Sequence, residues 1–142
     1  MKVIIINGPN LNLLGTREPS VYGNQTFEIF FQSLQKKYSS IDISSYQSNI
    51  EGELINKLQE ADLNFDGIIL NAAAYTHTSI GIADAIKAIS TPVIEVHISN
   101  VYARESFRQT SFISANAAGI IVGCGLNGYD LSIQQLIHIC QK

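Results

Sequence analysis

The sequence predicts an α/β protein in which a doubly wound, five-stranded parallel sheet lies between two layers of helices. Apolar runs of four to seven residues alternate along the chain with segments whose apolar residues recur at helical spacing, and this alternation is typical of parallel α/β domains. The 142 residues contain no linker, repeat or low-complexity segment. We therefore predict that residues 1–142 form a single domain with a three-layer α/β/α architecture.

Five strands are predicted from the runs rich in isoleucine and valine. They lie at residues 2–6, 41–46, 67–70, 93–98 and 120–122. Pro92 opens the fourth run. This is compatible with a strand, because a proline at the first position removes no hydrogen bond from the ladder.

Five helices are predicted between and after these strands. Apolar residues from Phe27 to Leu34 recur at helical spacing and mark the first helix, with Asn24 or Thr26 as its cap. The next two are placed at residues 50–58 and 79–89. A short helical stretch is expected around residues 111–118, and a last helix starts near Asp130.

Charge and composition argue against several partners. The formal net charge of −3 gives no basic field, so we expect no nucleic-acid partner. The apolar run before Asn7 is too short for a secretion signal, and no stretch approaches the ~18 residues of a membrane span, so we expect no membrane partner. Cys124 and Cys140 form no metal-spaced pair, which predicts reduced thiols in a cytoplasmic protein.

Polar side chains gather where the predicted strands end. They are Asn7 and Asn10 after the first strand, Asn71 and His77 after the third, and Glu95, His97, Ser99 and Asn100 around the end of the fourth. In doubly wound sheets, ligands bind outside the carboxyl ends of the strands. The sequence therefore predicts a site of amides, imidazoles and a carboxylate at this edge of the sheet.

Glu95 and His97 are two residues apart on a strand, so their side chains point to the same face. A carboxylate beside an imidazole fixes its tautomer and stabilises its protonated form, as a general acid requires. Two alternatives remain at this stage. The pair forms only a structural ion pair, or His77 joins Glu95 and His97 in a metal site.

Residues 71–79 lead from the third strand into a helix that Thr78 or Ser79 can cap. The free N–H groups of such a helix start favour an anion. The alternative is that the hydroxyls act only as caps. Three consecutive alanines leave room beside the strand end for a small ligand.

Arg17 and Tyr22 lie in a loop that is otherwise rich in turn residues. A phenol has a pKa of about 10 and is a poor base at neutral pH, but a nearby guanidinium lowers that pKa. A tyrosinate is a suitable base for a proton next to a ketone. The loop contains Gly15, Pro19 and Gly23, which would let it move as a lid. The alternative is a surface loop with an exposed salt bridge.

Residues 123–128 read GCGLNG, a literal G-x-G-x-x-G pattern. A dinucleotide fingerprint also needs a following strand and an acidic residue ~20 positions later, and too little chain remains for either. We predict a tight strand-to-helix turn instead. Arg104 and Arg108 are one helical turn apart, so both can face the site, or one can pair with Glu105. We interpret His138 as structural.

Taken together, the motifs resemble those of type II 3-dehydroquinate dehydratase, the flavodoxin-like dehydroquinase. They are GPNLNLLG at residues 8–15, REP at 17–19 with YG at 22–23, YTHTS at 75–79, EVHISN at 95–100, Arg104 with FR at 107–108, and GLNGY at 125–129. The resemblance spans nearly the whole chain. It implies a flavodoxin-like fold and a catalytic domain that eliminates water from 3-dehydroquinate in the shikimate pathway.

The resemblance also implies roles for individual residues. Tyr22 would be the base and Arg17 the lid residue that activates it, while His97 would be the acid, oriented by Glu95. Asn10 would help to hold a water against an enolate oxygen. The substrate's carboxylate and hydroxyls would be bound by Asn71, His77, Asp84, Ile98, Ser99 and Arg108, with Ile98 and Ser99 using backbone N–H groups. No metal or cofactor is implied.

The resemblance also implies an oligomeric state, and it shows where this chain differs from the family pattern. The family forms trimers grouped into a homododecamer, in which Asp84 would reach a neighbour's site. Departures from the family pattern occur at Ala72-Ala73, Ile98, Tyr102 and Ser106, and they concern affinity and loop shape. The alternative functions are a flavodoxin-like electron carrier and a receiver-type signalling domain. Their usual phosphate loop and paired aspartates are missing from the strand ends.

Overall fold

The computed structural model of the chain describes residues 1–16 and 25–141. A five-stranded sheet in the order β2-β1-β3-β4-β5 forms its centre, and every neighbouring pair is parallel. The strands are β1 (Lys2–Asn7), β2 (Asp42–Gln47), β3 (Gly67–Asn71), β4 (Val93–His97) and β5 (Gly119–Val122). This confirms the predicted doubly wound α/β fold with its five strands.

Four α-helices cover the two faces of the sheet in the described ranges. They are α1 (Phe27–Lys37), α2 (Glu51–Asn64), α3 (Ile80–Ala88) and α4 (Asn127–Cys140). Thr26 caps α1, because its side chain accepts from the backbone N–H of Ile29, and Ser79 caps α3 in the same way through Ile82. Short 3₁₀ helices lie at Leu11–Leu13, Ala73–His77, Val101–Ala103, Ser106–Gln109 and Ser114–Asn116.

The prediction of a fifth helix was wrong in extent. Residues 111–118 form only the 3₁₀ helix Ser114–Asn116. The Ser111 hydroxyl accepts from the backbone N–H groups of Ile113 and Ser114, and this local bonding competes with helical bonding. The last helix begins at Asn127, before Asp130, because the turn is completed quickly by Gly123 and Gly125, both with positive φ.

Alternating strand residues build two cores, one on each face of the sheet. Val3, Ile5 and Ile69 point to the face covered by α1 and α4. Ile4 and Ile68 point to the face covered by α2 and α3. The central strands β1 and β3 are therefore apolar on both sides, which explains why they read as unbroken apolar runs in the sequence. β4 is equally buried but is interrupted by Glu95 and ends at His97.

The strand order identifies the point where a ligand crevice forms. The chain passes outward from β1 to β2 and then returns to the other side of β1 to form β3. The connections leave β1 and β3 in opposite directions, so a crevice opens beyond their carboxyl ends. No helix in the described ranges is both long enough and apolar enough to cross a membrane.

Candidate active site

A pocket lies beyond the carboxyl ends of β1, β3 and β4, as predicted. Its polar lining comes from Asn10, Asn71, His77, His97, Ser99, Arg104 and Arg108. Apolar surface is supplied by Leu13, Leu14, Ala73, Ala74 and Ile98. The fold thus brings together most of the residues singled out from the sequence. Arg17 and Tyr22 lie outside the described residues.

Glu95 and His97 meet as the two-residue spacing predicted. His97 Nε2 donates to Glu95 Oε1 at 2.6 Å, and the two residues are only 1% and 7% exposed. Because Nε2 is held by the carboxylate, Nδ1 is the ring nitrogen left for a ligand. The pair is therefore oriented as a proton donor at the pocket wall.

Two serines complete the environment of Glu95. Ser111 donates to Oε1 at 3.1 Å, and Ser114 donates to Oε2. Burial would raise the pKa of the Glu95 carboxyl, but the hydrogen bonds from His97, Ser114 and Ser111 outweigh it and hold the pKa below its ordinary value. Glu95 is thus an anion at neutral pH. A second cavity behind the pair is lined by both serines and by Thr76.

His77 lines the pocket beside His97, with the two ring centroids 6.3 Å apart and the planes inclined by 22°. Its Nδ1 lies 2.6 Å from the carbonyl oxygen of Thr110, so Nδ1 carries the proton and donates. Nε2 is left as an acceptor for a ligand hydroxyl. In the described ranges, no three His, Cys, Asp or Glu side chains are grouped to hold a metal ion.

The backbone of the loop after β3 packs directly against the loop after β1. The backbone N–H of Gly8 donates to the carbonyl of Asn71 at 2.7 Å, and a Cβ at Gly8 would approach Ala72 O to 2.6 Å. Only glycine permits this close approach of the loop after β1 to the loop after β3. Ser79 uses its hydroxyl to cap α3, which agrees with the capping alternative.

Two arginines, Arg104 and Arg108, line the pocket. Arg108 Nε donates to Glu105 Oε2 at 2.8 Å, and Arg104 Nε lies 3.7 Å from the same oxygen. Arg104 also donates to Ser99 Oγ at 3.4 Å. Both sequence alternatives therefore hold together: the arginines face the site and Glu105 pairs with them. Their charge favours a ligand that carries a carboxylate.

The glycine-rich segment forms the predicted strand-to-helix turn. Gly123 and Gly125 have φ values of 80° and 60°, and the backbone N–H of Gly125 donates to the carbonyl of Ile98 at 3.0 Å. The turn therefore packs against the residue that follows β4. Its role is to connect β5 to α4 and to support one wall of the pocket.

Asn71 belongs to a buried polar cluster that sequence reasoning did not find. Its Nδ2 donates to the Tyr129 hydroxyl at 2.9 Å, and that hydroxyl donates to Asn7 Oδ1 at 2.8 Å. All three residues are at most 3% exposed. Asn7 and Asn71 had been noted as polar strand ends, but nothing in the spacing indicated that a tyrosine 58 residues later would join them.

Two of the described candidates do not line the pocket. Glu95 reaches it through its hydrogen bond to His97, whereas Asp84 is not brought to it. It lies on the exposed side of α3 and does not line the pocket. Its predicted contact with a neighbouring subunit's site stays a prediction. Arg104 lines the pocket, as one of the two sequence alternatives predicted, but the resemblance assigns it no specific role.

Comparisons with known proteins agree on one family. The family model "Dehydroquinase class II" matches residues 1–137. A 3-dehydroquinate dehydratase of Campylobacter lari is 51% identical over 141 residues, covering 98% of this chain and 88% of the relative. One of Prochlorococcus marinus is 48% identical, covering 96% and 95%.

Solved structures agree with these relatives. The crystal structure of a type II dehydroquinase from Butyrivibrio crossotus superimposes with a TM-score of 0.93 at 48% identity, covering 96% of this chain and 97% of that chain. A type II dehydroquinase from Propionibacterium acnes gives a TM-score of 0.90 at 36% identity, covering 99% and 97%. The likeness therefore includes the whole fold.

Proposed function

The chain belongs to the class II dehydroquinase family, and from this premise we propose that it dehydrates 3-dehydroquinate to 3-dehydroshikimate in the shikimate pathway. The reaction removes a proton from C2, beside the ketone, and expels the hydroxyl on C1 as water. It is a carbon–oxygen lyase reaction. Family membership sets aside the electron carrier and the receiver domain weighed from the sequence.

The observation that carries the proposal is the buried Glu95–His97 pair at the pocket wall. His97 protonates the departing C1 hydroxyl, and the Glu95 carboxylate orients the ring and balances its positive charge. Each positioned proton transfer of this kind contributes about 10²–10⁴ in rate. The pair supplies the acid, but it leaves the base to be found elsewhere.

The base is assigned to Tyr22 and its activation to Arg17. This assignment is supported by the lining of the pocket, which in the described ranges includes no tyrosine, carboxylate or lysine. Leu13 and Leu14, which line the pocket, lie only a few positions before Arg17 and Tyr22 in the sequence. A guanidinium next to the phenol lowers its pKa and favours the phenolate that removes the C2 proton.

The remaining pocket residues stabilise the substrate and the enolate. Asn10 holds a water against the enolate oxygen, where preorganised dipoles stabilise developing charge. The carboxylate and hydroxyls of the substrate are bound by Asn71, His77, Arg108 and the backbone N–H groups of Ile98 and Ser99. The described lysines lie at the start of β1 or on helices, away from the pocket, which supports enolate rather than imine chemistry.

We also propose a cytoplasmic homododecamer built from four trimers, on the strength of the resemblance. Asp84 is exposed on α3, which leaves it free to contact a substrate in a neighbouring subunit. Light scattering on the purified protein tests the assembly, because the mass should be twelve times the 15.6 kDa of one chain.

An absorbance assay tests the activity. Dehydration creates an enone conjugated with the carboxylate, so absorbance in the ultraviolet should rise when 3-dehydroquinate is added. Tyr22→Phe and His97→Ala should each abolish the rise while both variants stay folded. His97→Ala should also unfold at a lower temperature than the parent, because the buried Glu95 carboxylate loses a hydrogen-bond partner. His138→Ala is the matched control and should keep full activity, because His138 is on α4 away from the pocket. Full activity in Tyr22→Phe would refute the assignment of the base.

A further inference from the structure

Tyr129 places its hydroxyl between the last residues of two neighbouring strands. Asn7 ends β1 and Asn71 ends β3, and the two are register partners in the sheet. The hydroxyl accepts from Asn71 Nδ2 at 2.9 Å and donates to Asn7 Oδ1 at 2.8 Å. Only Asn71 of these three lines the pocket. The other two are therefore behind the ligand site and can act on it only through Asn71.

A backbone group shows which way the Asn71 amide is turned. The backbone N–H of Ala73 donates to Asn71 Oδ1 at 3.2 Å, and an N–H can only donate. The carbonyl side of the Asn71 amide is therefore turned to Ala73, and its NH₂ is turned to Tyr129. The tyrosine, which accepts from Asn71, gives its single proton to Asn7. Turning the Asn71 amide over would place its NH₂ against the N–H of Ala73, with two donors facing each other.

The tyrosine is held firmly enough to impose this direction. Its ring contacts Phe27 at 5.5 Å and Phe30 at 6.0 Å between centroids, and it is 0% exposed. Burial raises the pKa of the Tyr129 phenol far above its ordinary value, so the hydroxyl keeps its proton. The glycine turn before α4 fixes where the residue enters the core.

We propose that Tyr129 is a positioning residue that, with Asn7, fixes the Asn71 amide so that it offers the pocket an N–H donor rather than a carbonyl. The NH₂ group has two hydrogens, and Tyr129 takes one. The second meets an oxygen acceptor of the ligand, a carboxylate or hydroxyl oxygen. This inference rests on the proposed function, because it assumes that Asn71 binds the substrate.

A double-mutant cycle on the dehydration reaction tests the proposal. Tyr129→Phe keeps the ring and removes the hydroxyl, and we expect kcat/KM to fall about tenfold, mainly through KM. The kcat/KM of Asn71→Ala should decrease by at least the same factor. In the double variant the penalties should not multiply, so its kcat/KM should equal that of Asn71→Ala alone. Multiplying penalties would overturn the proposal.

Matched variants separate positioning from loss of stability. Tyr38→Phe makes the same chemical change at a tyrosine whose hydroxyl donates to Asp130, away from the pocket, so it should lower the unfolding temperature and leave KM unchanged. Asn7→Ala removes the acceptor and leaves the aromatic core intact. It should raise KM severalfold, and it keeps the proposal testable if Tyr129→Phe does not fold.

The outcomes also distinguish this proposal from the proposed function. A folded parent enzyme without activity on 3-dehydroquinate would refute the function itself. An active parent with an unchanged KM in Asn71→Ala would remove Asn71 from the binding site. An active parent in which Asn71→Ala raises KM but Tyr129→Phe and Asn7→Ala do not would refute the positioning role alone.

Discussion

Glu95 and Asp130 are two carboxylates with similar surroundings and different partners. Each is at most 9% exposed and each accepts hydrogen bonds from three side chains. Glu95 accepts from His97, Ser111 and Ser114. Asp130 accepts from Lys37, Tyr38 and Gln134. Both have a pKa below the ordinary value, because these bonds outweigh the effect of burial.

The difference between them lies in what the carboxylate holds. Glu95 holds an imidazole that can gain and lose a proton, at the wall of a pocket. Asp130 holds the ammonium of Lys37, at the end of α1, and joins that helix to the start of α4. A lowered pKa therefore does not distinguish a site from a structural pair. The partner and the position beside a cavity do.

The largest effect is expected when the charge of Glu95 is removed. Glu95→Gln keeps the size of the side chain but places an amide against His97, so the ring loses its orienting anion. We expect kcat to fall about 10²-fold with a smaller change in KM, as measured by the absorbance assay. Asp130→Asn is the control and should keep kcat within about twofold. Equal losses in both variants would show that the two carboxylates are not functionally different.

Near neutral pH, the substitution of Asp130 should affect stability although it leaves kcat almost unchanged. Asp130→Asn should lower the free energy of unfolding by about 1 kcal/mol, because Lys37 loses its charged partner at a partly solvated site. The folded pKa of Asp130 is below its ordinary value of 3.8. Its stabilisation is therefore present above that value and is lost as pH falls through the folded pKa.

Thermal unfolding from pH 6 to pH 3 measures this contribution. The parent's unfolding temperature should decrease on acidification more steeply than that of Asp130→Asn, since the variant has no carboxylate to protonate at this position. Tyr38→Phe keeps the carboxylate and should retain most of the parent's slope. Identical slopes for the parent and Asp130→Asn would mean that Lys37 does not stabilise the charged form of Asp130.

The two carboxylates also mark what sequence reasoning could and could not reach. Glu95 and His97 were found because a strand puts residues two apart on one face. The serines that bind Glu95 are 16 and 19 residues away, in a segment predicted only as helical. The role of Tyr129 was not predicted either, because it too is far along the chain from its partners Asn7 and Asn71. Local periodicity predicts elements and the strand ends that carry the site. Contacts between residues far apart in the chain depend on how the segment before β5 and helix α4 pack against the sheet.

Thr76 provides the opposite case, a buried polar group without partners, and the smallest expected effect. Its Oγ1 is buried and makes no hydrogen bond within the described ranges, although it faces the same second cavity as Glu95. Thr76→Val has the same shape and removes the unpaired hydroxyl, so the free energy of unfolding should rise by about 1 kcal/mol. Thr91→Val is the matched control, because the Thr91 hydroxyl donates to the carbonyls of Asp62 and Phe65, and it should destabilise. A loss of stability in Thr76→Val, measured by chemical denaturation, would instead mean that a water in the second cavity satisfies the hydroxyl.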